Sequence, residues 1–272
     1  MSAASPQTYD TLQVDVSGPI EVLTLNRPDA LNTLNPALVD DLTAYFERLH
    51  RRPACRVVLL RGAGRAFCAG LDIRADWTGP EALGPVHQRL AIQRRIARVV
   101  KLMRSCPQPI IALGHGAACG GGFSLLLASD VRFADPTLRM NAAYIKIGLG
   151  GCDIGSSYFL PRLVGLSVAS ELLLSGRFIA ADRALRVGLV SEVVAPEALL
   201  ETGLALAKEM LATAPLGLRM TKDALSLNVD AQGLDAAMAI EDRQQVLLGG
   251  TDDYGEAKQA FVEKRPAAFK DR

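Results

Sequence analysis

Chemistry in this chain concentrates where a short apolar run meets a triple glycine, Pro109-Ile110-Ile111-Ala112-Leu113-Gly114-His115-Gly116-Ala117-Ala118-Cys119-Gly120-Gly121-Gly122-Phe123-Ser124. The order predicts a buried strand, a tight turn bare of side chains and the start of a helix. Backbone N–H groups at a helix N-terminus lack intrahelical partners and carry the positive end of the helix dipole. Such a place can hold a phosphate, a carboxylate or a developing oxyanion.

A second loop has matching character. Ala66-Phe67-Cys68-Ala69-Gly70-Leu71-Asp72-Ile73 follows the apolar run Arg56-Val57-Val58-Leu59-Leu60-Arg61 and is built of small residues. Folded beside the triple glycine, it would aim a second set of N–H donors at the same point. Two convergent donors are what an enolate or tetrahedral oxyanion needs.

Other chemistries fit less well. Gly62-Ala63-Gly64 follows a strand but lacks the third glycine and the distal acid of a dinucleotide fingerprint. No G-x-x-x-x-G-K-[ST] occurs. His50, His87 and His115 stand at no metal-ligand spacing, so no metal is expected. His115 lies close to the glycines, where a lone histidine more often serves structure. Ser124 is not in a G-x-S-x-G elbow, which argues against a Ser–His–Asp hydrolase.

The elements that must position these loops can be traced along the chain. Ile20–Leu25 alternates as a strand, Pro36 to Leu49 reads as an amphipathic helix, and Arg56 to Arg61 suits a buried strand. A loop runs from Asp72 to Pro85, and Val86 to Arg104 reads as a long helix. Ile110 to Leu113, the helix after Gly122 and a strand at 131–134 follow. This alternation predicts an α/β architecture with parallel pairing. After about Ser167 the pattern turns helical, with segments at 168–175, 180–187, 196–213, 215–228, 234–248 and 253–263. Asp253 with Glu256 resembles a capping box. Residues 1–195 are expected to form the core and 196–272 a helical region for subunit contacts.

With 49% hydrophobic and 22% charged residues and a net charge of +1, the chain reads as an ordinary globular protein. Only 5% aromatics and no basic run argue against nucleic acid. Five cysteines without CxxC spacing fit reduced thiols in a cytoplasm, and the N-terminus has no apolar core for a signal peptide. The uncharged stretch Ser105 to Ser129 is long enough to span a bilayer, but two prolines and five glycines argue for a buried strand and helix.

The assembled motifs resemble the crotonase (enoyl-CoA hydratase/isomerase) superfamily. Leu25-Asn26-Arg27-Pro28-Asp29-Ala30-Leu31-Asn32 is similar to that family's first signature. Phe67 to Ile73 is similar to its first oxyanion loop, and Gly114 to Gly122 to its second. Ser175-Gly176-Arg177 with Ala184 to Val194 resembles its later L-x-G-x-x-x-x-A-x-x-A-x-x-x-G-L-V segment, and Phe261-Val262-Glu263-Lys264-Arg265 its C-terminal ending. The resemblance implies a spiral of β-β-α turns with a C-terminal helical region, and homotrimers that pair into hexamers. It implies an acyl-CoA ligand, with no cofactor beyond the coenzyme A of the substrate. The oxyanion donors then map onto the N–H groups of Leu71 and Gly121. The CoA segments map onto Arg27, Ala30, Ala69, Leu71 and Ile73, with Phe261 and Lys264 reaching a neighbouring subunit's CoA.

Departures from the family matter as much. Register on the glycines puts Ser124 and Tyr144 where family hydratases carry two glutamates. General acid–base assistance is worth about two to four orders of magnitude, and neither residue replaces a carboxylate base near neutral pH. Between Val131 and Ser170 the acids are Asp135, expected in a turn, and Asp153, which suits either an N-cap or a base. One branch of the family, the dienoyl-CoA isomerases, places an aspartate near here. Asp153 is therefore the candidate acid/base, with Tyr144 and Ser124 as hydrogen-bonding helpers. The expected activity is hydratase/isomerase-like. The alternatives are a crotonase-fold hydrolase of a thioester or cyclic β-diketone, using Asp153 or His115, and a non-catalytic acyl-CoA binder. The loop from Arg74 to Pro85, with Trp77, is expected to shape the acyl pocket.

Overall fold

The structure is a computed structural model and describes residues 8–78 and 84–272. Strand β1 (Leu12–Ser17) turns at Gly18 into β2 (Ile20–Leu25), its antiparallel partner. Helix α1 (Pro36–Leu49) opens on Asn35, whose side chain accepts the Leu38 N–H at 2.9 Å. That is a conventional N-cap, followed by a proline that needs no N–H at the first position. Then come β3 (Val57–Gly62), α2 (Pro85–Ser105), β4 (Ile110–Gly114), β5 (Ala117–Cys119), α3 (Gly121–Ala128) and β6 (Val131–Ala134).

The second half holds β7 (Arg139–Asn141), α4 (Ser156–Ser175), β8 (Ile179–Ala180), α5 (Ala181–Arg186) and β9 (Glu192–Val193). It ends with α6 (Leu199–Leu211), α7 (Pro215–Asn228), α8 (Leu234–Gly249) and α9 (Asp252–Glu263). Helix α4 is apolar and long enough to cross a membrane on length and composition. Gly165, at φ 77° and ψ 161°, breaks it in two.

Six strands form one sheet in the order β1-β2-β3-β4-β6-β9, parallel from β2 onward. A smaller sheet, β5-β7-β8, stands beside it. Strand β4 and residues 57–60 of β3 are apolar without a break because both their faces are buried. Val58, Leu60, Ile110 and Ala112 face the larger core with α1, α2 and α3. Val57, Leu59, Ile111 and Leu113 face a second core closed by α6. Gly203 of α6 lets that helix lie against Leu113 and Leu59, since an added Cβ would stand 2.8 Å from Leu113 Cδ2. The uncharged stretch 105–129 is β4, β5 and the fully buried α3.

Outside this layered body, α7 is tied back by Lys222, whose ammonium donates to the carbonyls of Met103 and Gln108 and pairs with Asp130 at 2.9 Å. The α9 cap differs from expectation. Thr251, not Asp253, receives the Tyr254 N–H, and the buried Asp253 accepts the N–H groups of Lys270 and Asp271. A carboxylate engaged by the returning C-terminal chain is unavailable for its own helix.

Candidate active site

The two glycine loops are laced together by backbone. Phe67 N donates to His115 O at 2.9 Å, Cys68 N to Ala117 O at 3.0 Å, and Cys119 N to Cys68 O at 3.0 Å. The first loop thus pairs in parallel with β5. Glycine is required at the crossing: any Cβ on Gly122 would run into the Cys68 carbonyl. Gly70 sits at φ 105°, and a Cβ there would stand 2.9 Å from Cys119 O and 3.8 Å from the Gly121 nitrogen.

Among the N–H groups of these loops without an acceptor are those of Leu71 and Gly121. Leu71 forms a parallel bridge to Leu34 in which Leu34 N donates to Gly70 O and Asp72 N to Leu34 O, so the intervening Leu71 N–H points the other way. Gly121 is the first residue of α3, and its N–H has no helical acceptor. Neither amide donates to any described residue, and Leu71 is exposed.

The loop is braced from behind. Asn32, buried and at φ 54°, accepts the Arg27 N–H and donates to the carbonyls of Ala63 and Ala66, each at 2.8 Å. The Arg27 guanidinium donates to Thr33 O and pairs with Asp72 at 3.0 Å. Partial burial pushes the Asp72 carboxyl up, but hydrogen bonds from Arg27 and the Arg74 N–H outweigh it and hold it below the usual range. Arg27, Ala30, Leu71 and Ile73 line one cleft of about 850 Å³ with Arg65 and Arg74. Ala69 donates its N–H to Leu31 O beside that cleft.

Three hydroxyls gather behind the triple glycine. Ser124 and Tyr144 are buried, and neither Ser124 Oγ nor Tyr144 Oη completes a hydrogen bond. A Cβ on Gly120 would stand 3.7 Å from the Tyr144 ring. Burial pushes the phenol up to about 12, against the weaker pull of the facing Ser156 and Ser124 hydroxyls.

Asp153 lies between the 3₁₀ turn Ala143–Ile147 and α4. It is not the helix cap; that place belongs to Gly155, and the Asp153 N–H itself donates to Ser156 Oγ at 3.0 Å. Its Oδ1 accepts from Gln93 Nε2 of α2 and from the Ile154 N–H at 2.7 Å. The next side chain, Ile154, reaches the glycine turn, with Cδ1 3.7 Å from where a Gly121 Cβ would be.

Other candidates stand elsewhere. His115 turns its ring to Gly64 O at 3.1 Å and lines a separate small cavity with Asp135 and Leu199. Asp135 closes a turn onto Thr137. Trp77 donates to Asp72 O at 3.0 Å and packs on the core, while part of its loop, residues 79–83, lies outside the described residues. Phe261 on α9 and Lys264 just past its end are exposed and line no part of the cleft of their own chain. Among the described residues no group of His, Cys, Asp and Glu could hold a metal.

Residues that sequence reasoning missed are the braces. Gln93 and Leu34 carry no motif. Asn32 had a usable signal, since Asn takes positive φ more readily than most residues that carry a side chain.

Residues 15–272 match the family model described as enoyl-CoA hydratase/isomerase. The chain is 37% identical over 267 residues to a protein named as a probable enoyl-CoA hydratase of Mycobacterium leprae, covering 96% of this chain and 90% of that one. It is 33% identical over 254 residues to the 1,2-epoxyphenylacetyl-CoA isomerase of Escherichia coli, covering 92% and 94%. The crystal structure of an enoyl-CoA hydratase from Bacillus anthracis superimposes with a TM-score of 0.89 at 30% identity, covering 97% of this chain and all of that one.

Proposed function

The chain belongs to the enoyl-CoA hydratase/isomerase family and is an enzyme of that kind, and from this premise we propose that it moves the double bond of an enoyl-CoA thioester using one carboxylate base. The observation that carries the proposal is the pair of unpaired N–H groups on Leu71 and Gly121, held by interlocked loops, with Asp153 one residue before Ile154, whose Cδ1 lies 3.7 Å from where a Gly121 Cβ would be.

The thioester oxygen is received by the two N–H groups. Asp153 removes a proton from the α-carbon of a β,γ-enoyl thioester, and the electron pair moves onto the thioester oxygen as a dienolate. The same carboxyl returns the proton to the γ-carbon, giving the conjugated thioester with mass unchanged. One base suffices because it is neutral when it delivers the proton. Preorganised N–H donors are worth roughly two to three orders of magnitude each in such steps.

By register on the glycines, we place Ser124 and Tyr144 at the positions of the family's two glutamates. Their hydroxyls are neutral, and burial keeps the Tyr144 phenol so far above neutrality. Syn addition of water ordinarily employs two acid/base groups, so this pair favours isomerisation over hydration. Arg27, Ala30, Ala69, Leu71 and Ile73 line the route for the CoA. Arg27 is already engaged by Asp72, so its phosphate contact would be shared.

A second copy of the chain is the natural cover for α8, which buries none of its residues and leaves Leu234, Val246 and Leu247 exposed. Phe261 and Lys264 would serve a neighbouring subunit's CoA from that assembly.

The test is incubation with 3-hexenoyl-CoA and crotonyl-CoA, with products followed by conjugated-enoyl absorbance and mass. Isomerisation with unchanged mass, lost in Asp153→Asn, is expected. Gain of one water on crotonyl-CoA at a comparable rate, or turnover intact in Asp153→Asn, would overturn the one-base reading.

A further inference from the structure

Helix α2 presents Gln93, Ala97, Val100 and Arg104 at spacings of four, three and four residues, one face of an α-helix over ~16 Å. Gln93 holds Asp153. Ala97 and Val100, next along the same face, line an open-sided cavity of about 470 Å³ whose opposite wall is Ile154 with Tyr158 and Phe159 of α4. Arg104 ends the stripe, and its charge is already spent: it pairs with Asp130 at 2.7 Å, donates to Ser226 at 2.7 Å and lies 6.0 Å from the Phe159 ring centre. The other charged lining groups, Lys101 and Asp223, are exposed to solvent.

Ile154 belongs to both spaces. Its Cδ1 approaches Gly121, and it forms part of the cavity wall. It does so at φ 33°, a left-handed backbone that a β-branched residue adopts only under strain. Such strain persists where surrounding structure demands that side chain in that place. Here its side chain stands between the Gly121 turn and the apolar room along α2.

We infer that this room seats the acyl tail of the substrate, and that Ile154, Ala97 and Val100 set its length, selecting a tail longer than four carbons. The inference rests on the proposed reaction site, because the tail is measured from a thioester on Leu71 and Gly121. The stripe gives the direction: carbonyl at the glycine turn, reacting carbons at Asp153, tail past Ile154 toward Arg104. The volume lies within the ~300–1,000 Å³ of small-molecule sites. Burying successive methylenes there supplies affinity that a four-carbon acyl group lacks.

Saturated thioesters test the seat without chemistry. Decanoyl-CoA and butyryl-CoA would be titrated calorimetrically into the wild-type protein, Ala97→Leu and Ala97→Phe, with each variant's melting temperature recorded. The wild type is expected to bind decanoyl-CoA at least tenfold more tightly than butyryl-CoA. Ala97→Phe, whose ring fills the room, should cut that ratio below threefold, and Ala97→Leu should fall between. If Ala97→Phe does not fold, Ala97→Leu decides. A wild-type ratio near one, or a ratio that neither replacement moves, overturns the inference. Turnover of 3-decenoyl-CoA, run in parallel, reads the reaction alone: no product with the binding ratio intact would sink the isomerase proposal and leave the tail seat standing.

Discussion

The side-chain amide of Gln93 donates a hydrogen bond to Oδ1 of Asp153, joining α2 to the loop before α4 across 60 residues of sequence. The same oxygen accepts the Ile154 N–H, so two donors fix the carboxylate while its other oxygen stays clear of them. Asp153→Asn is expected to lower kcat by about two to four orders of magnitude, the usual worth of a general base. Gln93→Leu should lower kcat about tenfold with KM nearly constant, a split that marks positioning rather than substrate binding. Gln93→Glu replaces the amide donor by a second carboxylate facing the first, so it should lower kcat at least as far as Gln93→Leu. An unchanged kcat in Gln93→Glu would separate the two residues functionally.

The proposed oxyanion donor on Gly121 can be removed almost alone. It is the first residue of α3, where proline is tolerated because that N–H has no helical acceptor. Gly121→Pro deletes the N–H, whereas Gly121→Ala keeps it; both must displace Leu34 Cδ1, which would be 2.6 Å from the new Cβ. Gly121→Pro should therefore lose roughly two to three orders of magnitude in kcat, and Gly121→Ala much less. Equal losses, with equal falls in melting temperature, would assign the effect to packing instead.

How much of this was legible in the sequence depends on the range of the forces involved. Val57 to Leu60 and Ile110 to Leu113 read as strands because burial on both faces makes them apolar throughout, and α1 reads to the residue because Pro36 follows a capping Asn35. The meeting of the two glycine loops was also legible, since bare backbone is what two crossing chains need. The short strands β5, β7, β8 and β9 were not, because two or three residues carry no period and their pairing is supplied by neighbours. Gln93 was invisible for a related reason. An exposed-looking glutamine on a charged helix acquires its role only when Asp153 arrives from 60 residues away. Nor does any local signal place Ile154 at positive φ; the preference of its own side chain argues against it.

Tyr144 should make the protein sensitive to alkali in a defined window. Burial raises its phenol to about 12, while an unfolded tyrosine titrates near ~10. Between those values the unfolded chain gives up the proton first, so the folded state binds more protons and stability falls as pH rises. Each such group contributes at most about 1.4 kcal/mol per pH unit. Tyr45, raised chiefly by burial, adds to the same slope. Urea unfolding of Tyr144→Phe should therefore show a shallower loss of stability above pH 10 than the wild type. At pH 7 the two should agree within about 1 kcal/mol, because the deleted hydroxyl makes no hydrogen bond. Identical slopes in alkali would mean that the phenol ionises as freely as in water.

Arg27 poses the sharpest question about coenzyme recognition, because its guanidinium already serves the fold. It holds Thr33 O and Asp72, and through Asp72 it steadies the segment that carries the Leu71 N–H. A purely structural Arg27 would affect every thioester alike, since loosening Leu71 weakens the grip on the carbonyl whatever the leaving group. An Arg27 that also meets a phosphate would discriminate. Charge-assisted hydrogen bonds are worth about 1.5–3 kcal/mol, which Asp72 must partly share, so Arg27→Ala should raise KM for a CoA thioester about tenfold. The matching pantetheine thioester, which has no nucleotide phosphates, should show a change in KM below threefold with the same variant. Arg27→Lys should recover part of the CoA effect as a point charge but not the bidentate brace. Equal losses on CoA and pantetheine substrates would confine Arg27 to the loop and move phosphate recognition to Arg65 or Arg74, the other arginines of the cleft.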